Sequence, residues 1–298
     1  MRNFILGTDW WDDCDDAVAL RLLTRHIKEQ KINLQGVVIN ACMEHSVASL
    51  KGFLLADGVS GVPVGIDRDA TDFGGIQPYQ RRLAEAYCPD VTNDDGEDPV
   101  RLYRRLLAES DGRVEIAEIG FLQVIAAVLE SGADDISPKS GVELFEEKVA
   151  KVWVMAGKWD EEGGLENNFW RNARSRVGAA TFCRMCPVPV TFLGFEVGEG
   201  VISGSRLDHA DHLYDVLVDH GSQDGRHSWD PMLILMALIG DEARAGYDTV
   251  AGYASVDPET GRNYFAKDPA GPHRFVVKKF ENSYYEDAIN RFIKAVEI

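Results

Sequence analysis

Between residues 9 and 16 the chain places five aspartates, Asp9, Asp12, Asp13, Asp15 and Asp16, in the stretch GTDWWDDCDDAVAL. Carboxylates this close repel one another, by about 1 kcal/mol for a pair 4 Å apart in water and by more away from it. A helix N-terminus satisfies one such group through its unpaired N–H donors. A hard divalent cation satisfies several, because Ca²⁺ accepts six to eight oxygen ligands in irregular geometry. The stretch therefore predicts a Ca²⁺ site. It is not an EF-hand loop, which needs Gly at its sixth position and Glu at its twelfth. Counted from Asp9, those positions hold Cys14 and Leu20. Nor does it carry out covalent phosphoryl transfer in the manner of strand-DxD phosphatases, because Gly7 stands where the nucleophilic Asp is required.

Such a site needs elements to hold it. Most of the apolar runs at 4–7, 34–40, 114–120, 151–157 and 188–195 lack polar alternation, as do parallel strands buried on both faces. Helical patterns at 15–30, 46–58, 99–110, 122–131 and 174–185 fall between them. The alternation predicts an α/β fold, an open and mostly parallel doubly wound sheet of Rossmann-like type. Segments 58–98 and 256–276, rich in Gly, Pro and Asp, are expected to be irregular loops. With no repeat or linker in view, residues 1–298 are expected to form one domain. Ligands of open α/β sheets bind at the carboxyl ends of the strands, here near Asp9, Asn40, Ile119, Gly157 and Gly194.

The net charge of −18 disfavours nucleic acid as a partner. No apolar run reaches the length of a membrane span, and the N-terminus turns acidic too soon for a signal peptide. A cytoplasmic protein is expected. Cys183 and Cys186 make a single CxxC without a second pair, so they are expected to be buried structural residues.

GTDWWDDCDDAVAL resembles the N-terminal motif of the inosine–uridine preferring nucleoside hydrolases, in a longer form of the DTDxxxDxDDA type. The match runs through Asp9, Asp13, Asp15, Asp16 and Ala17. Three further blocks follow in the order of that family: IGFLQVIAAVL (119–129), VWVMAGKWDEEGGLENNFW (152–170) and SWDPM (228–232). The resemblance implies hydrolysis of the N-glycosidic bond of a nucleoside, or a related N-riboside, to free base and ribose. It assigns Asp9, Asp16, Asp230 and the main-chain carbonyl of Ile119 to Ca²⁺, with Asp9 also the general base. It places Asp15, Glu166 and Asn168 on the ribose, and it implies a homo-oligomer, dimer or tetramer.

Other assignments rest on position. Asn40 ends the second strand and is a candidate ribose contact. Trp10 and Trp11 are candidates to stack on the base, although neighbours in an extended chain point apart, so at most one reaches it. Asp15 is equally suited to capping the first helix, and Asp13 is open between cation and solvent. Two departures from the pattern matter. Trp229 stands where purine-active members carry His, and an indole is a poor proton donor. His227, two residues earlier, is a substitute acid, or the base is activated by stacking on Trp229, Trp159 or Trp170. Gly7 replaces the first Asp of the motif. The alternatives are a ribose- or nucleoside-binding protein with little turnover, and a metal-dependent phosphatase.

Overall fold

The computed structural model describes residues 1–294. In chain order the elements are β1 (Arg2–Thr8), α1 (Asp15–Lys28), β2 (Ile32–Ile39), α2 (Ser46–Ala56), β3 (Val64–Ile66), α3 (Gln80–Tyr87), α4 (Pro99–Glu109) and β4 (Val114–Glu118). They continue as α5 (Gln123–Glu130), α6 (Gly141–Lys148), β5 (Val149–Met155), α7 (Asn167–Trp170), α8 (Ala173–Met185), β6 (Val190–Leu193), α9 (Phe195–Gly198) and β7 (Ile202–Ser203). The last are α10 (His212–His220), β8 (Arg226–His227), α11 (Trp229–Ile239), β9 (Tyr247–Val256), β10 (Asn263–Lys267), β11 (His273–Lys278) and α12 (Asn282–Ile293).

Nine strands form one sheet in the order β10-β9-β11-β6-β5-β4-β1-β2-β3. From β6 to β3 every pairing is parallel. Along β1, alternate side chains feed opposite faces. Phe4 and Leu6 join the core under α1 and α11, while Ile5 joins the core under α4 and α5. A strand buried on both sides reads as an unbroken apolar run, which is why the sequence locates it. The chain runs from β1 to β2 on one side and later returns to β4 on the other. The order therefore reverses beside β1, and this topological switch point leaves a crevice at the carboxyl ends of β1 and β4.

The loop expectations are corrected in two places. Segment 58–98 contains β3 and α3, and segment 256–276 contains β10 and the start of β11. The signal read as a loop at 256–262 is the hairpin turn itself, closed by the Asp257 N–H donating to the Arg262 carbonyl at 2.9 Å. Strand β9 pairs antiparallel with both β10 and β11 and alternates exposed with buried residues. It therefore lacks the continuous apolar run of the central strands. In α3 only Gln80, Leu83 and Ala84 are buried, too few to set a helical period.

Gly7 pairs with Glu118 of β4. The Glu118 carboxylate lies where a side chain on residue 7 would begin, so a Cβ there would overlap it. Glu118 is buried and accepts a hydrogen bond from the Tyr103 hydroxyl. Burial pushes its pKa up to about 8. A carboxyl group thus does stand beside position 7, supplied across the sheet by the neighbouring strand. Gly7→Ala is expected to lower stability by about 1–3 kcal/mol through overpacking. In a Glu118→Ala background that penalty should vanish, and urea denaturation of the four variants measures the coupling.

Candidate active site

The site begins with the turn that leaves β1. The Thr8 hydroxyl donates to Asp16, which ties the strand end to the first turn of α1. Trp10 then takes a positive φ of 46°, a conformation that costs a bulky residue on the order of 1–3 kcal/mol unless its surroundings impose it. They do: the indole is fully buried, edge-on to Phe53 and Tyr79, each at 5.7 Å, and its Nε1 donates to Ser49 Oγ at 2.8 Å. Trp10 is therefore a core anchor and no substrate contact, a correction to its expected role. Its packing forces the tight turn between Asp9 and Trp11.

Trp11 points the other way and lines a cavity of about 240 Å³. Asp9, Asp15, Asp16 and Asp230 line it too, all at least nine-tenths buried. The carboxylates of Asp15, Asp16 and Asp230 have oxygens within 4.8 Å of one another. Asp230 arrives on the first turn of α11, where its N–H donates to Asp15 Oδ2 at 3.1 Å. Ile119 closes the end of β4 against the same cavity, and its carbonyl receives no hydrogen bond from the described residues.

Among the described residues, none of the four aspartates has a basic partner within ion-pair distance. Their protonation follows from that isolation. Burial, then Asp16, raises Asp9 well above the carboxylate range. Burial likewise raises Asp15 and Asp230, each reinforced by neighbouring carboxylates. Burial takes Asp16 to about 7, against the opposing hydrogen bond from Thr8. Four buried carboxyls around an open carbonyl form an all-oxygen donor set suited to a hard divalent cation. Asp13, Cys14 and His220 make a second cluster, but Arg226 already neutralises Asp13 and burial holds the Cys14 thiol protonated.

Glu166 and Asn168 form the facing wall. Glu166 caps α7, accepting from the Asn168 N–H at 2.9 Å, and also accepts from the Gly157 N–H at 2.9 Å. Burial pushes its pKa up to about 7. The Asn168 amide donates to the Met155 carbonyl at 2.9 Å, which fixes its orientation. Both side chains therefore stand in set positions before any ligand arrives.

Two other expected contacts lie off the cavity wall. The Asn40 side chain accepts from the Phe121 N–H at 3.0 Å, joining β2 to the loop after β4. His227 Nδ1 accepts from the Gly200 N–H at 3.0 Å, which commits that nitrogen to the β7–β8 ribbon. Trp229 does line the cavity, stacked on Phe195 with centroids 5.3 Å apart, but its Nε1 is spent on the Phe195 carbonyl at 2.8 Å. Trp159 packs among Phe192 and Phe275, and Trp170 is exposed away from the cavity.

The structure adds residues that the sequence did not single out. Arg171 lies over the Trp11 ring at 4.6 Å and donates to the Phe73 carbonyl. Arg226 forms a two-pronged ion pair with Asp13, at 2.8 and 2.6 Å. That pair accounts for Asp13, which the sequence left open. Asp12 is half-buried on the same wall. No motif marks either arginine, because each is recruited by partners distant in sequence.

Compared with solved structures, the chain superposes over almost its whole length. The inosine–uridine preferring nucleoside hydrolase of Bacillus anthracis matches with a TM-score of 0.65 at 14% identity, covering 98% of this chain and 99% of that one. This is the nucleoside hydrolase fold. The purine-preferring ribonucleoside hydrolase of Gardnerella vaginalis gives 0.71 at 16% identity, covering 98% of each chain. The type III effector protein XopQ, solved with adenosine diphosphate ribose, gives 0.70 at 15% identity, covering 98% of this chain and 93% of that one. No family model matches the sequence, and no curated protein does so. Among the described residues no helix is long and apolar enough to cross a membrane.

The raised carboxyls give stability a definite pH dependence. Asp16 and Glu166 rise from 3.8 and 4.5 to about 7 each. Both bind protons more tightly folded than unfolded, so their contribution is fully present below the unfolded values and is lost as pH rises through about 7. In chelator, the melting temperature should therefore fall between about pH 5 and about pH 8. A saturating divalent cation displaces the protons of the aspartates and should oppose that fall. Thermal unfolding at matched pH, with chelator or with Ca²⁺, checks both statements.

Proposed function

We propose that the chain is a Ca²⁺-dependent N-ribohydrolase that cleaves the N-glycosidic bond of a nucleoside to free base and ribose. One observation supports this reading: four buried aspartates, without basic partners among the described residues, line one cavity with an open carbonyl, Glu166 and Asn168 at the switch point of this fold. Ca²⁺ bound there would orient a water and the ribose diol and make that water more acidic. Asp9, Asp16, Asp230 and the Ile119 carbonyl are the assigned ligands. Asp9 also takes the proton of the attacking water. Asp15 accepts from a ribose hydroxyl, and Glu166 and Asn168 hold the rest of the sugar. Trp11 supplies an apolar wall. The base is left unspecified by this reading.

A binding protein with little turnover is the second reading. It is favoured by the absence, among the described residues, of a free imidazole or indole N–H at the cavity, since His227 lies off its wall and the Trp229 N–H is engaged. The phosphatase alternative has no support comparable to these contacts, because Gly7 offers no nucleophile and its space is filled by Glu118.

Asp9→Ala is expected to abolish ribose release from every nucleoside, a loss of at least about 10³-fold, while the fold survives. A reducing-sugar assay over a nucleoside panel, with circular dichroism of the variant, tests this. Undiminished turnover overturns the assignment. Tight nucleoside binding by calorimetry without any sugar formed selects the binding protein instead.

A further inference from the structure

Cationic and aromatic side chains line the cavity beside the carboxylates. Arg226 spends Nε and Nη2 on the two oxygens of Asp13, at 2.8 and 2.6 Å. Its Nη1 has no partner among the described residues. The guanidinium also lies 5.5 Å from the centre of the Trp229 ring, which itself stacks on Phe195. All of these groups line the cavity. Asp13 belongs to the acidic turn after β1 and Arg226 to β8, so the clamp ties the two sides of the site together. A guanidinium held on two prongs and over an indole face has little freedom left, and its remaining N–H pair is a fixed donor.

On the ribohydrolase reading, something must meet the leaving base. The two heterocyclic groups that the sequence suggested do not serve: His227 lies off the cavity wall, and Trp229 Nε1 donates to the Phe195 carbonyl. Asp13 is neutralised by Arg226. Asp12 is the one other acid on the cavity: burial and then Asp13 raise its pKa, against the opposing charge of Arg171, and the D12N variant below separates it from Arg226. What remains is a donor that cannot give up its proton, since an arginine stays charged throughout the working range of proteins.

We propose that Arg226, clamped by Asp13, is the catalytic group at the leaving base: its Nη1 donates hydrogen bonds to the base as the C1′–N bond breaks, and the base departs as an anion. The electron pair of that bond stays on the base nitrogen. The oxygen of a water molecule bonds to C1′, and its proton passes to Asp9. Solvent then protonates the free base and removes the proton from Asp9, so that nucleoside and water become ribose and base.

The test compares wild type with R226M, R226K and D12N on uridine, cytidine, inosine, adenosine and 4-nitrophenyl riboside. The last releases a stabilised phenolate that needs no help in leaving. R226M should lose about 10²-fold in kcat on uridine, as when a single charge-stabilising donor is removed. Its loss on 4-nitrophenyl riboside should stay within about threefold, which also reports that its site is folded. R226K keeps the charge without the fork and should fall between, with the same contrast between substrates; it carries the test if R226M does not fold. Equal losses on uridine and 4-nitrophenyl riboside overturn the proposal and make Arg226 structural. The same contrast in D12N overturns it in favour of Asp12 as the acid. Wild type that cleaves no riboside, the nitrophenyl compound included, overturns the ribohydrolase reading itself.

Discussion

Four carboxylates held out of water without a basic partner are the constraint around which this molecule is arranged. Desolvation alone makes each a poor anion, and their proximity makes each worse. Such a cluster persists only when protons or a cation compensate it and the surrounding fold over-determines it. Both requirements are visible. The donor set is all oxygen, and every member sits on the end of a rigid element: β1 for Asp9, the first turn of α1 for Asp15 and Asp16, the end of β4 for Ile119 and the first turn of α11 for Asp230. The helix N-termini favour the charges that they carry.

The geometry of the turn depends on two residues that never touch the cavity. Trp10 is driven into the core between Phe53 and Tyr79, and a strained backbone at that position is what allows Asp9 and Trp11 on either side to face the crevice. Gly7 has no side chain, and Glu118 of the adjacent strand fills the room. A buried carboxyl therefore stands beside position 7, supplied by the neighbouring strand.

The arginines of the cavity have a different logic. Asp13 and Asp12 add charge to the turn, and Arg226 and Arg171 answer it from elements far along the chain. Each arginine also lies over a cavity-lining tryptophan, Arg226 over Trp229 and Arg171 over Trp11. The outer aspartates of the turn are therefore compensated by guanidinium groups, and the four buried ones are not.

The sequence by itself determined the central architecture and the residues of the acidic end. Strands β1, β2, β4, β5 and β6 are mostly buried on both faces, so each reads as an apolar run with few polar interruptions, and the helices between them carry their own period. The carboxyl ends of those strands are then known from the chain alone, and with them Asp9 and Ile119. The sequence did not reveal the marginal strands β9 to β11, whose half-exposed residues and turn-rich surroundings mask a pairing made across long separations. Tertiary structure alone decided which way Trp10 and Trp11 point, that Asn40 and His227 are spent on main-chain groups, and that Glu118 replaces a side chain at position 7. It alone brought Arg226, 213 residues from Asp13, into an ion pair with it. Local pattern reports burial and period because neighbours in sequence set them. It is silent on side chains whose partners arrive from other strands, because those contacts exist only once the sheet has closed.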